Sequence, residues 1–372
     1  MSIKFSKPNI FDADLSLVKK TIKSGWLTHG KNTKMFEEKF QKYTNSKYAV
    51  TVSSCTAALH LSCMAIGLKK GDEVIVPAMS HTATSHAVEY TGAKTVFVDI
   101  DFKTGNIDPE KIEKKITNKT KAIIIVHMAG LSCEIESIQK ITKKYNLKLI
   151  EDCAHSVGTK FKEIHVGNFG VSGCFSFYPT KQITTGEGGM LVTNNKDFYR
   201  KIKRLKAFGI DKDINQRKKQ GTYDVVSLGF NYRLTDFQSA LGLKQLLNYK
   251  KNLKKRHILA KDYIKGLQNI KGLECMPYSK NCSFFVFQIF CKDRNKLLKI
   301  FKNKKIGVSI HYATPLPHMS YYKKKYKFKK DSFINAKKYA DTNISLPIYP
   351  SLNLNELNKV IKLIKNFYEN PK

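Results

Sequence analysis

Along the first half of the chain, apolar positions fall into two alternating textures. Short runs rich in β-branched residues occupy 73–77, 95–99, 121–127 and 148–152, the composition that suits strands. Between them, 83–90, 109–116 and 135–145 are helix-compatible. Strands alternating with helix-length segments predict an α/β fold with a mainly parallel sheet flanked by helices. In such folds ligands sit at the carboxyl ends of the strands, and Asp152 falls where one strand should end.

After about residue 235 the texture changes. Residues 236–268 read as one long helical stretch with room for a bend, followed by a strand at 283–290, a helix at 295–303, a strand at 308–312 and a closing helix at 354–368. These segments predict a smaller C-terminal α/β domain. With roughly 150 residues per domain as the guide, the 372 residues divide into a large domain at 1–250, which includes the N-terminal segment, and a small one at 251–372. The polar segment 210–221 predicts a long surface loop. There is no internal repeat, low-complexity tract or proline-rich linker.

Composition changes this picture little. A hydrophobic content of 42% with 11% aromatics excludes a largely disordered chain. The first residues lack the apolar core of a secretory signal, and the most apolar run, 122–128, is too short to cross a bilayer, so a soluble cytoplasmic protein is expected. Eight cysteines without a CxxC pair fit neither a zinc site nor a compact disulfide framework; reduced thiols and no metal site are expected.

Charge raises one question. The formal net charge is +36, and dense basic residues neutralise phosphates. Yet arginine occurs only at 200, 204, 217, 233, 256 and 294, and the lysines are spread through helical stretches rather than gathered into one arm. A dispersed lysine bias is the reading preferred to a dedicated nucleic-acid face, and it would still attract an anionic substrate over distance.

Three segments carry candidate chemistry. In Ser53-Ser-Cys-Thr-Ala-Ala-Leu-His60, small polar residues lead into a helix; a helix start suits phosphate, and equally it is an ordinary cap. In Glu151-Asp-Cys-Ala-His-Ser156 a carboxylate at a strand end can hold a heterocyclic nitrogen protonated, or cap a turn. In Phe175-Ser-Phe-Tyr-Pro-Thr-Lys181 a lysine ends an aromatic-rich segment before a glycine-rich turn. Burial lowers the pKa of such an amine and makes it nucleophilic.

The order of these segments, with Gly25-Trp-Leu-Thr-His-Gly30, GDEVIVP, LGFNYRLTD and His311-Tyr312, resembles the DegT-type sugar aminotransferases, a family of fold-type-I enzymes that use pyridoxal 5'-phosphate (PLP). The resemblance runs nearly end to end. It implies that Lys181 carries the cofactor covalently and shuttles the proton, and that Asp152 pairs with the pyridine nitrogen. His155 would lie beside the cofactor, and His81 would take the place of the aromatic that stacks on its ring. Cys55, Thr56 and Ser176 would bind its phosphate. Asn231 would reach that phosphate from a neighbouring subunit, so a homodimer with shared active sites is implied. Thr28, Gly30, Glu187, His311 and Tyr312 are candidates for sugar contacts.

Lys181 stands where some relatives carry the histidine of dehydratases, so transamination is the implied reaction. The stretch ITTGEGG after it looks like the branch that aminates the sugar C4. The resemblance therefore implies transfer of an amino group from an amino acid, glutamate for preference, to a nucleotide-linked 4-keto-6-deoxy-sugar. The alternatives are C3 amination or deoxygenation and, in another class, a non-catalytic regulatory or nucleic-acid-binding module.

Overall fold

The computed structural model describes residues 2–212, 219, 221–329 and 331–369. Its frame is a seven-stranded sheet. The strands are β1 (Tyr48–Val52), β2 (Glu73–Pro77), β3 (Lys94–Val98), β4 (Thr120–Val126), β5 (Lys148–Asp152), β8 (Ser172–Ser176) and β9 (Gly189–Thr193), with β6 (Lys160–Phe161) and β7 (Ile164–His165) forming a hairpin between β5 and β8. The order is β1-β9-β8-β5-β4-β2-β3. Neighbours from β8 to β3 are parallel, while β9 runs antiparallel to both β1 and β8. The sheet is thus mainly parallel with one reversed strand, and β1 points the same way as β8.

Continuous apolar runs suit strands covered on both faces. In β4 the side chain of Ile124 enters one core layer, while Ile123 and Ile125 enter the other. Around this sheet lie α1 (Asp12–Lys23), α2 (Lys31–Thr44), α3 (Cys55–Ala65), α4 (Thr82–Glu89), α5 (Ile135–Lys144) and α6 (Lys196–Leu205). Helix α5 shows the logic: Ile135, Ile138 and Ile141 are buried at i, i+3 and i+6, and Lys143 and Lys144 close its last turn, where cations oppose the helix dipole.

The long helix α7 (Asp236–Leu267) starts at a capping box, in which Thr235 accepts from the Gln238 amide and the Gln238 side chain reaches back to Thr235, satisfying two otherwise orphaned amides. Beyond it stand β10 (Leu273–Cys275), α8 (Arg294–Asn303), α9 (Ser320–Tyr326), α10 (Ile334–Thr342) and α11 (Leu354–Glu369), with β11 (Phe287–Cys291) and β12 (Asn343–Leu346) completing a three-stranded antiparallel sheet. None of the described helices is long and apolar enough to cross a membrane.

The boundary proposed at 250 lies within α7, which runs unbroken to Leu267. The N-terminal segment pairs with the C-terminal part, through an Ile3–Ile306 bridge. Residues 109–116 form two 3-10 turns rather than an α-helix; only Ile112 is fully buried there, too little packing to offset the cost of nucleating a short helix. The strand expected at 283–290 begins only at Phe287, because the amides of Ser283 and Phe285 bond instead to the carbonyls of Gly130 and Ala129. At 308–312 a single bridge, Ser309–Ser345, replaces the expected strand. Of the surface loop expected at 210–221, residues 213–218 and 220 lie outside the described residues.

Candidate active site

A cavity of about 430 Å³ opens at the carboxyl ends of β1, β2, β5 and β8, lined by Cys55, Thr56, His81, Asp152, His155, Ser176, Lys181, Glu187, His311 and Tyr312. Ligand sites at this edge of a parallel sheet follow from the convergence of strand ends and helix starts.

The end of β1 turns directly into α3. Ser54 caps that helix, its hydroxyl accepting from the Ala57 amide at 3.0 Å. The first-turn amides of Cys55 and Thr56 have no acceptor within the helix and lie at its positive dipole end. Gly189 makes this turn possible from below: a Cβ there would stand 2.6 Å from the Ser54 carbonyl carbon, so only glycine lets β9 pass so close. The Cys55 side chain does not serve the turn. Its sulfur faces the Cys174 carbonyl at 3.3 Å and Asp152 Oδ1 at 3.8 Å. Burial, then the Asp152 charge, pushes its thiol well above the usual range. Cys55 therefore offers its amide, not its sulfur.

Asp152 ends β5 and is 4% exposed. Its Oδ2 accepts from the Thr84 hydroxyl at 2.7 Å and its Oδ1 from the Ala154 amide at 3.1 Å. Thr84 lies on α4, just after the end of β2, and Ser80 hydrogen-bonds it in turn at 2.7 Å. Two elements thus fix the carboxylate plane. His81, the N-cap of α4, accepts from the Ala83 amide through Nδ1 at 3.2 Å; burial, reinforced by Lys181, lowers its pKa, so the ring stays neutral.

Lys181 lies five residues beyond the end of β8. Burial pushes its amine down to about 8, against the opposing pull of Asp152 and Cys55. Its Nζ stands 4.1 Å from the centroid of the Phe285 ring. On the same ring His155 stacks at 4.3 Å. His155 is held neutral, chiefly by burial and then by the nearby Lys181; its Nε2 meets the Tyr312 hydroxyl at 3.1 Å. Its Nδ1 is buried without a hydrogen-bond partner among the described residues. His311 pairs through Nδ1 with Ser345 at 2.9 Å, and burial pushes its pKa down to about 3.

Three expected site residues lie outside this cavity in the single chain. Asn231 is exposed on the segment that follows Leu228, although the neighbouring Tyr232 carbonyl accepts from the Ser53 amide at 2.9 Å. Thr28 and Gly30 precede α2; a Cβ on Gly30 would strike the Asp236 carboxylate at 2.2 Å. That carboxylate anchors Asn32 and Thr33, so packing alone accounts for this glycine. Sequence reasoning missed Thr84 and Phe285. Thr84 carried no signal in the sequence, being one threonine among many, and Phe285 lay in what read as a plain strand.

Beside Asp152, the buried His127, Glu151 and Cys153 bring potential ligand atoms within 4.8 Å of one another. The lone pairs of Glu151 and His127 are already engaged. Glu151 accepts from the amides of Gly167, Phe169 and Gly170 and from His127, whose other nitrogen accepts from the Cys133 amide. This network ties the 167–170 turn to β5.

The arrangement fits a small molecule with three features. A phosphate would meet the start of α3, a basic ring nitrogen would meet Asp152, and a carbonyl would meet the Lys181 amine. The unpartnered Nδ1 of His155 adds a polar atom for such a ligand.

The model of the DegT/DnrJ/EryC1/StrS aminotransferase family matches residues 8–365. Among curated proteins, the chain is 36% identical to spore coat polysaccharide biosynthesis protein SpsC of Bacillus subtilis, over 98% of this chain and 96% of that one. Among solved structures, Helicobacter pylori PseC, an aminotransferase involved in the biosynthesis of pseudoaminic acid, superposes with a TM-score of 0.93. It is 30% identical over 99% of this chain and 100% of its own. Spr1654 of Streptococcus pneumoniae, in its PMP-form, superposes with a TM-score of 0.93 at 29% identity over 99% of each chain.

Proposed function

This chain belongs to the DegT/DnrJ/EryC1/StrS aminotransferase family, and from that premise we propose that it moves an amino group from glutamate to C4 of a nucleotide-linked 4-keto-6-deoxy-sugar. It is a PLP-dependent sugar aminotransferase, as its structural relatives are. The observation that carries this reading is the Lys181 amine, lowered to about 8, in one cavity with the fixed carboxylate of Asp152 and the open start of α3. The C4 position and the glutamate donor rest on the likeness of the ITTGEGG stretch and of the family.

When bound, PLP supplies an aldehyde that accepts amines and an electron-poor ring that stabilises negative charge on the adjoining carbon. The chain does the rest. The Cys55 and Thr56 amides, the α3 dipole and the Ser176 hydroxyl hold the phosphate. Asp152, oriented by Thr84 and the Ala154 amide, keeps the ring nitrogen protonated. His81, which lines the cavity, would lie against one face of the ring. The Lys181 amine, beside Phe285, would hold the cofactor covalently and serve as the base that moves the proton. Glu187, exposed at the cavity, contacts the sugar together with His311 and Tyr312, which line the same cavity.

The working unit is proposed to be a dimer. Tyr223, Val225, Val226 and Leu228 are each about half exposed or more, Leu228 at 77%. They form one strip with Phe208, through backbone bonds from Phe208 to Phe230 and from Val226 to Gly209. Contiguous exposed apolar surface of this kind marks an interface, and Asn231, just beyond it in sequence, would complete the phosphate site of the facing subunit. Thr28 and Gly30 are proposed to reach the sugar only within that dimer. A cytoplasmic location suits a nucleotide-sugar substrate.

Borohydride reduction of the PLP-loaded enzyme, followed by peptide mapping, should place the pyridoxyl group on Lys181. Recovery of that group on another lysine would overturn the assignment. Incubation with glutamate and a panel of UDP-, GDP- and dTDP-4-keto-sugars should then yield 2-oxoglutarate and a C4 amine; an amine found only at C3 would overturn the positional reading.

A further inference from the structure

We propose that a second binding site, an apolar slot between α8 and α11 rimmed by lysines, takes a single-chain anionic amphiphile of the long-chain carboxylate class. The slot, open to solvent along one side, has a volume of about 710 Å³ and shares no residue with the Lys181 cavity; small-molecule sites span about 300–1,000 Å³ and are mostly apolar with a few polar groups. Its floor is Ile3, Ile300, Ile306, Leu363 and Phe367. The N-terminal segment closes one wall, fixed there because the Ile3 amide donates to the Lys305 carbonyl at 3.0 Å and Gly307 donates to the Ile3 carbonyl at 2.7 Å.

The rim carries one sign of charge. Lys296, Lys299, Lys304, Lys359 and Lys362 surround the opening; among the described residues Asn366 is the remaining polar one, and none of them brings a carboxylate to the lining. Lys296 pairs with Asp293 at 3.4 Å. Among the described residues the other four lysines have no carboxylate within ion-pair distance. Each lysine can lay its methylene stem along the apolar wall while its ammonium stays in water. The general lysine excess does not explain this, because charge is sorted over the surface: a cleft beside α5 is lined by Asp101, Asp108, Glu110, Glu113 and Glu134, with Lys114 and Lys140.

A ligand complementary to the slot has an apolar body to cover the floor and an acidic head to meet the rim. A free inorganic anion leaves the floor wet, and a flat bilayer does not enter a recessed slot. A nucleic-acid backbone offers nothing to the aliphatic floor. A long-chain carboxylate answers both parts.

The test is fluorescence titration of the full-length, PLP-loaded enzyme with dansylaminoundecanoate, followed by displacement with palmitate or its methyl ester. Saturable binding of one probe per chain is expected, with palmitate displacing it and the ester at least about tenfold weaker. Leu363→Glu, and separately the exposed pair Lys359→Glu with Lys362→Glu, should each weaken binding by about tenfold or more. Both should retain aminotransferase activity and the bound-cofactor absorbance, which certify folding. If Leu363→Glu fails to fold, the surface lysine pair alone decides. Absence of saturable binding, equal displacement by the ester, or undiminished binding by the folded lysine variant would overturn the proposal. So would capture by phosphatidylglycerol vesicles without binding of the soluble probe, which would mark a bilayer-facing surface instead.

Discussion

At the scale of the residue, Lys181 and Asp152 gain their chemistry from neighbours that differ in kind. Burial disfavours the ammonium form of Lys181, so its proton leaves at lower pH than from a surface lysine, whose ordinary value is about 10.4. Competitive acylation of the cofactor-free protein, read by mass spectrometry, should show Lys181 half-reactive near pH 8, below the midpoint of the exposed lysines; a midpoint matching theirs would refute a desolvated amine. Replacing Asp152 by Asn removes a charge that favours the ammonium and should move the midpoint lower still. Thr84 tests orientation. Its hydroxyl donates to Asp152 while Ser80 donates to it, so Thr84→Val leaves one carboxylate oxygen without its donor. Loss of such a supporting bond should lower kcat by about 10–100-fold with a smaller change in KM. Thr84→Ser should recover most of it, and the pH titration of cofactor absorbance should shift in the Val variant alone. An unchanged titration would make Thr84 a packing residue.

At the scale of the element, α7 holds the molecule together. Its first half packs on α1 and α2, and its second half bears Leu259, Tyr263 and Leu267 into the core shared with the C-terminal sheet. The close approach to α2 depends on Gly242, where a Cβ would stand 2.6 Å from the Phe36 ring and 2.8 Å from Thr185. Gly242→Ala raises helix propensity yet overpacks this contact, and overpacking outweighs it: stability should fall by about 1–3 kcal/mol, seen as a lower urea midpoint. An unchanged or higher midpoint would show that α2 can yield. The continuity of α7 also bears on domain organisation. A large and a small unit remain the proposal, but the helix joins them with no linker at 250.

At the scale of the whole molecule, the proposed dimer would complete the site with Asn231 of the facing subunit. Mixing a Lys181→Ala chain with an Asn231→Ala chain should restore part of the activity, because a hybrid dimer carries one site with both residues intact. A hybrid that forms but stays inactive, with subunit exchange shown by mass spectrometry, would refute sharing. The same reading gives the exposed strip around Leu228 its purpose, since burial on a partner removes from water apolar surface that the single chain leaves open.

Much of this was written along the chain. Strand and helix textures have periods of about two and 3.6 residues, and they are local; β2, β4, β5, α5 and α11 therefore stand within a residue or so of where the pattern put them. The ordered motifs placed Cys55, Asp152 and Lys181 in one cavity because each stands at or beyond the carboxyl end of a strand, and parallel strands bring such ends together. Tertiary structure decided what depends on partners distant in sequence. It turned the Cys55 sulfur toward Asp152, and it brought Thr84 to that carboxylate across 68 positions. It also diverted 283–286 from the expected strand, setting Phe285 against Lys181. No local pattern encodes these contacts, because each hydrogen bond or ring contact is chosen among competitors only once the sheet has placed them within reach.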